Sequence, residues 1–180
     1  MTKLTILTPA YKRPIGLAMC QASVQGQHRA DTIQHLIVPD EIGKGVGGMY
    51  RDLPLVNDQI AGEWVYVLSD DDVLIYPRVV DLIMQVEEDT PDVDVIMVKM
   101  LCNGRILPWD VCWHGPPLCG GVTLSNWIAR RDVHIAHPFG HRYEGDFDAL
   151  ASMWQASVTI AWADIILAAS QSGANQGRPE

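Results

Sequence analysis

The feature that most limits the fold is a regular alternation of short apolar β-type runs with helix-like segments through the first hundred residues. Three consecutive aspartates, Asp70, Asp71 and Asp72, stand directly after the third run. Residues 4–8 read as a buried strand ended by Pro9, and Pro14 sits where a first-turn proline starts a helix through about residue 25. Residues 34–38 form a second run, followed by Pro39, Asp40, a loop with Gly43, Gly45, Gly47 and Gly48, and a helix expected to reach Ala61 before Gly62 stops it. Residues 64–68 are the third run. After the aspartates a helix is expected over 77–88, its buried stripe supplied by Val79, Val80, Ile83 and Val86, and 93–101 is a fourth strand. This order predicts an α/β fold with a mostly parallel central sheet flanked by helices.

From residue 102 to 121 Gly, Pro, Trp and Cys follow neither period, which predicts an irregular segment of functional type. Beyond it the pattern predicts a short helix over 124–131, a loop carrying His134, His137 and His141, a helix from about Asp146 and a last strand over 158–166. The 180 residues show neither repeat nor linker, so one domain is expected over 1–172, with a loose tail at 173–180. With 48% hydrophobic and 19% charged residues, the chain has the composition of a packed globular protein. Its net charge of -9, from 13 Lys and Arg against 22 Asp and Glu, argues against nucleic acid or an anionic membrane surface as partner. A site for one diphosphate needs only a local basic pocket. Four dispersed cysteines, and a start at Met1-Thr2-Lys3 that leads straight into a strand, predict a reducing cytoplasm and no signal sequence. The longest apolar stretch, 158–169, contains Asp164 and is too short to cross a bilayer, so no transmembrane segment is expected.

Three carboxylates at the carboxyl end of a sheet strand lie where open α/β sheets bind ligands. Like charges about 4 Å apart repel by about 1 kcal/mol in water and about 4 kcal/mol at a protein-surface dielectric, so a packed acidic cluster calls for a cation. Oxygen donors favour Mg or Mn. The alternative is a solvated turn or helix cap; with Pro77 in the first helical position the cap is Tyr76, and the aspartates lie too far upstream to serve. Asp146 is either the N-cap of its helix or a catalytic base. Gly43-x-Gly45-x-x-Gly48 matches the dinucleotide fingerprint, with Asp70 about twenty residues further on, so a dinucleotide-dependent oxidoreductase is an alternative function. Against it, 39–42 separate the glycines from the strand and Pro54 interrupts the helix. A non-catalytic nucleotide-binding module is the third class. Trp109 and Trp113 either pack against an acceptor sugar or belong to the core. Cys112, His114 and Cys119 lack a zinc spacing.

These segments together resemble the inverting family 2 glycosyltransferases and their GT-A relatives, which place a DXD motif at the end of a central strand. Thr8-Pro9-Ala10-Tyr11-Lys12-Arg13-Pro14 looks like that family's opening strand and nucleotide loop, and NDQIAGEWVYVLSDDD, from Asn57 to Asp72, resembles its helix, strand and metal motif. The resemblance implies that Thr8, Pro9, Tyr11 and Arg13 serve the nucleotide, with Tyr11 and Arg13 at the base. It implies that Asp40 accepts from a base nitrogen, that Asp70 faces the ribose, and that Asp72 binds Mn or Mg with Asp71 sharing either role. Gly120 and Gly121 are similar to acceptor-side glycines, and Glu144-Gly145-Asp146 occupies the place of the acidic catalytic motif, making Asp146 the base. The expected activity is transfer of one sugar from a nucleoside-diphosphate sugar, UDP-sugars favoured, to an acceptor hydroxyl not identified by the sequence. Ser69 replaces a first aspartate and no histidine follows Asp146 as an extra metal ligand; the Gln-x-x-Arg-Trp pattern of processive synthases is absent.

Overall fold

Alternate residues of the central strands face opposite sides, as a pleated strand requires, and both sides are apolar. In β3 (Trp64–Val67) Trp64 and Tyr66 enter one core with Leu4, Ile6, Cys20 and Ile83, while Val65 and Val67 enter a second with Leu7, Leu53, Trp127 and Met153. The sheet is therefore covered on both faces. A computed structural model describes residues 1–171; the tail expected over 173–180 lies outside them.

Strand β1 (Leu4–Ala10) pairs in parallel with β2 (Ile33–Pro39) and with β3. Helix α1 (Pro14–Gln25) links β1 to β2 and has Pro14 at its first positions, where a missing amide costs nothing. Helix α2 (Gly45–Asp52) gives way to a 3-10 segment, Leu53–Gln59, instead of continuing to Ala61, because Pro54 has no N–H to donate. After β3 come β4 (Asp72–Leu74) and α3 (Val79–Asp89). Helix α3 starts two residues later than expected, with Arg78 as N-cap; the Pro77 carbonyl instead accepts from His28 N–H at 2.8 Å.

The second half completes the sheet with β5 (Val95–Cys102), β6 (Arg105–Leu107), β7 (Trp127–Arg130) and β8 (Ile160–Ser170), and adds α4 (Arg131–Ala136) and α5 (Gly145–Gln155). Strand order is β2-β1-β3-β7-β5-β8-β4, with β6 beside β5. The sheet is mixed: β1/β2, β1/β3 and β5/β8 are parallel, whereas β3/β7, β5/β7, β5/β6 and β4/β8 are antiparallel. The helix expected over 124–131 is a 3-10 turn, Leu124–Asn126, running into β7 and then α4. Trp127, Ile128 and Ala129 are all buried, because a central strand is covered on both faces and shows no alternation. The irregular 102–121 segment also contains β6 and a short 3-10 turn at Asp110–Cys112. No helix among the described residues is long and apolar enough to cross a membrane.

Candidate active site

The parallel strands β2, β1 and β3 end side by side, and the chain leaves each of them into one open cavity of about 500 Å³. Beyond β3, Leu68 N–H still donates to Leu7 at 3.0 Å, and Asp72 N–H then closes a turn on the Ser69 carbonyl at 3.0 Å. Asp70 is thereby brought against the loop after β1. Tyr11 N–H donates to Asp70 Oδ2 at 2.9 Å, and Arg13 Nη1 donates to Asp70 Oδ1 at 2.7 Å and reaches Asp71 Oδ2 at 2.8 Å. Helix α1 packs hard on this turn: a Cβ at Gly16 would lie 2.8 Å from the Asp70 carbonyl oxygen. Desolvation raises the Asp70 pKa, the Tyr11 amide and Arg13 oppose that rise, and the Asp71 charge adds to it.

Adjacent aspartates part company here. Asp71 lines the cavity with 28% of its side chain exposed, whereas Asp72 opens β4, pairs with Ser170 of β8 and is 6% exposed. Asp72 shares a strand face with Leu74, which belongs to the core around Cys20 and Tyr66. Burial first, and then the charges of Asp71 and Asp70, raise its pKa well above the ordinary carboxylate value despite the Ser69 amide. The structure thus brings Pro9, Tyr11, Arg13, Asp40, Asp70 and Asp71 to the cavity wall, and leaves Asp72 off it. Thr8 is fully buried behind the wall and holds His35 Nε2 at 2.8 Å.

Asp40 shapes the other rim. Its Oδ1 accepts from Ile42 N–H at 3.1 Å and Gly43 N–H at 2.8 Å, and its Oδ2 from Lys44 N–H at 2.6 Å. Desolvation opposes them, yet these amides hold the Asp40 pKa below the ordinary value. The closed loop brings Gly43 so near Tyr11 that a Cβ there would meet the phenol oxygen at 2.3 Å, and Gly43 takes φ +76, which glycine adopts at low cost. Five residues, 40–44, thus separate β2 from α2, so the glycines do not form the tight strand-to-helix turn of a dinucleotide fold.

The sequence reading missed Val46, Met49, Tyr50, Asp52 and Leu124, which also line the wall. The glycine loop announces the first four only as neighbours; nothing local announces Leu124, which a distant 3-10 turn delivers. Asp52 is buried and paired with Lys44. Tyr50 is 2% exposed, stacks on Phe139 at 5.0 Å and stands next to Asp146 at the start of α5. Asp146 is half-buried, stands behind Tyr50 and not on the cavity wall, and does not cap its helix: the N-cap is Glu144, and Asp146 Oδ1 accepts from Phe147 N–H at 2.8 Å. Desolvation raises its pKa, opposed by the amides of Phe147 and of Asp146 itself and by the Tyr50 hydroxyl.

The residues expected on the acceptor side do not line this cavity. Trp113 packs edge-on against Trp162 at 5.0 Å beneath Lys99, 4.7 Å from its ring centre. Trp109 is 43% exposed and its N–H donates to the Gly121 carbonyl at 3.0 Å; Gly120 has φ +76 in the adjoining turn. His134 lies within α4 and is buried against Phe139, with its pKa lowered by burial to about 4. No group of three His, Cys, Asp or Glu arranged to hold a metal by itself occurs among the described residues. A magnesium-type ion takes one or two carboxylates together with substrate phosphates, and the partly exposed carboxylate of Asp71 at the cavity fits that demand. The wall's carboxylates, Asp40, Asp52, Asp70 and Asp71, outnumber its one guanidinium, Arg13, so an anionic diphosphate needs added positive charge there.

The fold is GT-A-like, an architecture found in nucleotide-sugar glycosyltransferases. The crystal structure of S. aureus TarS superposes with a TM-score of 0.73 at 14% identity over 94% of this chain and 37% of that chain. TarS 1-349 in complex with UDP-GlcNAc gives 0.70 at 16% identity over 94% and 58%. Glucosyl-3-phosphoglycerate synthase from Mycobacterium tuberculosis, in complex with Mn2+, uridine-diphosphate and phosphoglyceric acid, gives 0.57 at 14% identity over 99% and 72%. The chain thus spans between 37% and 61% of the length of the TarS chains it matches. No protein-family model and no curated protein sequence matches it.

Proposed function

We propose that the chain is a metal-assisted, inverting glycosyltransferase that moves one sugar from a nucleoside-diphosphate sugar, with UDP-sugars favoured, to an acceptor hydroxyl. The observation that carries this reading is the meeting of Tyr11, Arg13, Asp40, Asp70 and Asp71 on one cavity at the carboxyl ends of three parallel strands in a GT-A-like fold. The uridine diphosphate bound in the similar structures supports the choice of base.

In this reading Pro9 and Tyr11 flank the base, and Asp40 offers it the acceptor capacity that its three amide bonds leave. Asp70, held by Tyr11 and Arg13, takes the ribose. Mn or Mg, bound with the donor, supplies the positive charge that stabilises the departing diphosphate. Asp71 is its protein ligand, since the metal role expected of Asp72 needs a carboxylate on the cavity. The acceptor oxygen attacks the anomeric carbon from the side opposite the diphosphate, its proton passes to Asp146, and the bond to the phosphate oxygen breaks, which inverts the centre.

Calorimetric titration of UDP and GDP, with and without Mn2+, tests this on the wild type, Asp71→Asn and Asp72→Asn. Binding should require Mn2+, and Asp71→Asn should weaken it by about tenfold or more, the size of one lost charge-assisted contact. Asp72→Asn should change it far less. Failure of both nucleotides to bind with Mn2+ would sink the reading, and full binding by Asp71→Asn would remove that residue from it.

A further inference from the structure

We propose that Arg13 guards the metal position, so that a divalent cation binds this protein tightly only together with a diphosphate. This rests on Asp71 as the metal ligand in the function proposed above. One nitrogen, Arg13 Nη1, lies 2.7 Å from Asp70 Oδ1 and 2.8 Å from Asp71 Oδ2. The space between the two carboxylates already holds a positive charge. An arginine keeps that charge at any working pH, unlike a lysine, whose pKa shifts readily on burial.

The Arg13 side chain is 7% exposed, and its Nε is buried with no hydrogen-bond partner among the described residues. A guanidinium with an unmet N–H among carboxylates is not in its best arrangement, because a phosphate would accept from two of its nitrogens at once. A cation approaching Asp71 alone meets the guanidinium charge. A cation arriving with a diphosphate brings anionic oxygens toward which Arg13 can turn, and that turn releases Asp71. Of the neighbouring lysines, Lys44 is engaged by Asp52 and Lys12 lies 5.1 Å over the Tyr11 ring. Metal and diphosphate therefore favour each other's binding through Arg13, and linkage makes the factor equal in both directions.

The test counts free Mn2+ by electron paramagnetic resonance as the wild type, Arg13→Gln and Arg13→Lys are titrated, with and without saturating UDP. Mn2+ held by UDP in protein-free buffer is subtracted. The wild type should bind Mn2+ at least about tenfold more weakly alone than with UDP, within the roughly 5–150-fold span of coupled sites. Arg13→Gln should bind Mn2+ alone about tenfold more tightly than the wild type, and Arg13→Lys, which keeps the charge, should stay close to the wild type. Equal Mn2+ affinity of the wild type with and without bound UDP overturns the guard while leaving the proposed function standing. No gain in a folded Arg13→Gln also overturns it. If UDP binds to no variant but Arg13→Gln still gains Mn2+, Arg13 blocks the metal position, but the coupling to a diphosphate is overturned and the glycosyltransferase reading falls with it. Should Arg13→Gln not fold, the wild-type comparison decides.

Discussion

Asp146 and Asp72 are both carboxylates raised by desolvation, yet they call for opposite experiments. As a base, Asp146 works only when ionised, so the acid limb of the transfer rate should lie above the ordinary carboxylate pKa of about 4. Burial and the Asp146 charge raise the Tyr50 pKa, so that hydroxyl stays protonated and able to donate. Tyr50→Phe removes a group that favours the ionised form of Asp146, and should move the limb to higher pH. Asp146→Asn should leave donor binding intact and cost about 10² to 10⁴ in rate. Near-normal turnover by the folded variant would transfer the role to Glu144 or Asp148. Asp72, by contrast, holds its proton more tightly folded than unfolded. Its contribution to stability is therefore present below the ordinary value and lost as pH rises from there through the raised folded pKa. Asp72→Asn should raise Tm at pH 7.5, with the gain shrinking toward pH 4; an equal Tm at both would show that Asp72 pays no burial penalty.

At the scale of elements, two short connections hold the site in shape. The turn before β7 is braced by Asn126, whose side-chain amide donates to Leu107 at 2.9 Å and Val98 at 3.3 Å, while Ser125 receives the Tyr66 hydroxyl at 3.0 Å. Asn126→Ala strands buried carbonyls, at roughly 1–3 kcal/mol each, and should lower the urea midpoint while loosening Leu124 from the wall. The start of α5 is set by Gly145, where a Cβ would lie 2.1 Å from the Gly140 carbonyl oxygen and 2.5 Å from Tyr50 Cδ2. Backbone cannot yield as a flexible side chain does. Gly145→Ala should cost about 1–3 kcal/mol and reduce transfer more than donor binding, because it displaces Asp146 and not the β1–β3 loops. Equal losses in both would mean that α5 and the cavity wall move as one.

For the whole molecule, ligand binding should appear as stability by mass action. UDP at about 100 times its Kd, with Mn2+ present, should add about 2.7 kcal/mol, and at about 2–4 °C per kcal/mol for a chain of this size that is a rise in Tm of about 5–11 °C. NAD at the same concentration should give none, since the glycine loop is not a dinucleotide turn. Protection by NAD alone would reverse the order of the two enzyme readings.

What the sequence by itself determined was local. Pro14 at the head of α1, the apolar runs that became β1 to β3, and acids directly beyond the third strand follow from side-chain size, a missing amide and periods of 2 and 3.6. The alternation of strands and helices was legible for that reason, whereas the GT-A likeness, and with it Pro9, Tyr11, Arg13, Asp40, Asp70 and Asp71 of the cavity wall, came from the resemblance of the motifs. Tertiary structure decided whatever depends on a partner far along the chain. Trp127, Ile128 and Ala129 became a strand because β3 and β5 offered their edges on either side. Trp113 found its partner in Trp162, 49 residues further along the chain. Asp71 and Asp72, chemically identical neighbours, were separated by the pairing of Asp72 with Ser170, and Arg13 met Asp70 across 57 residues. No local pattern encodes such choices, because burial and charge are properties of what surrounds a side chain, and the fold alone supplies the surroundings.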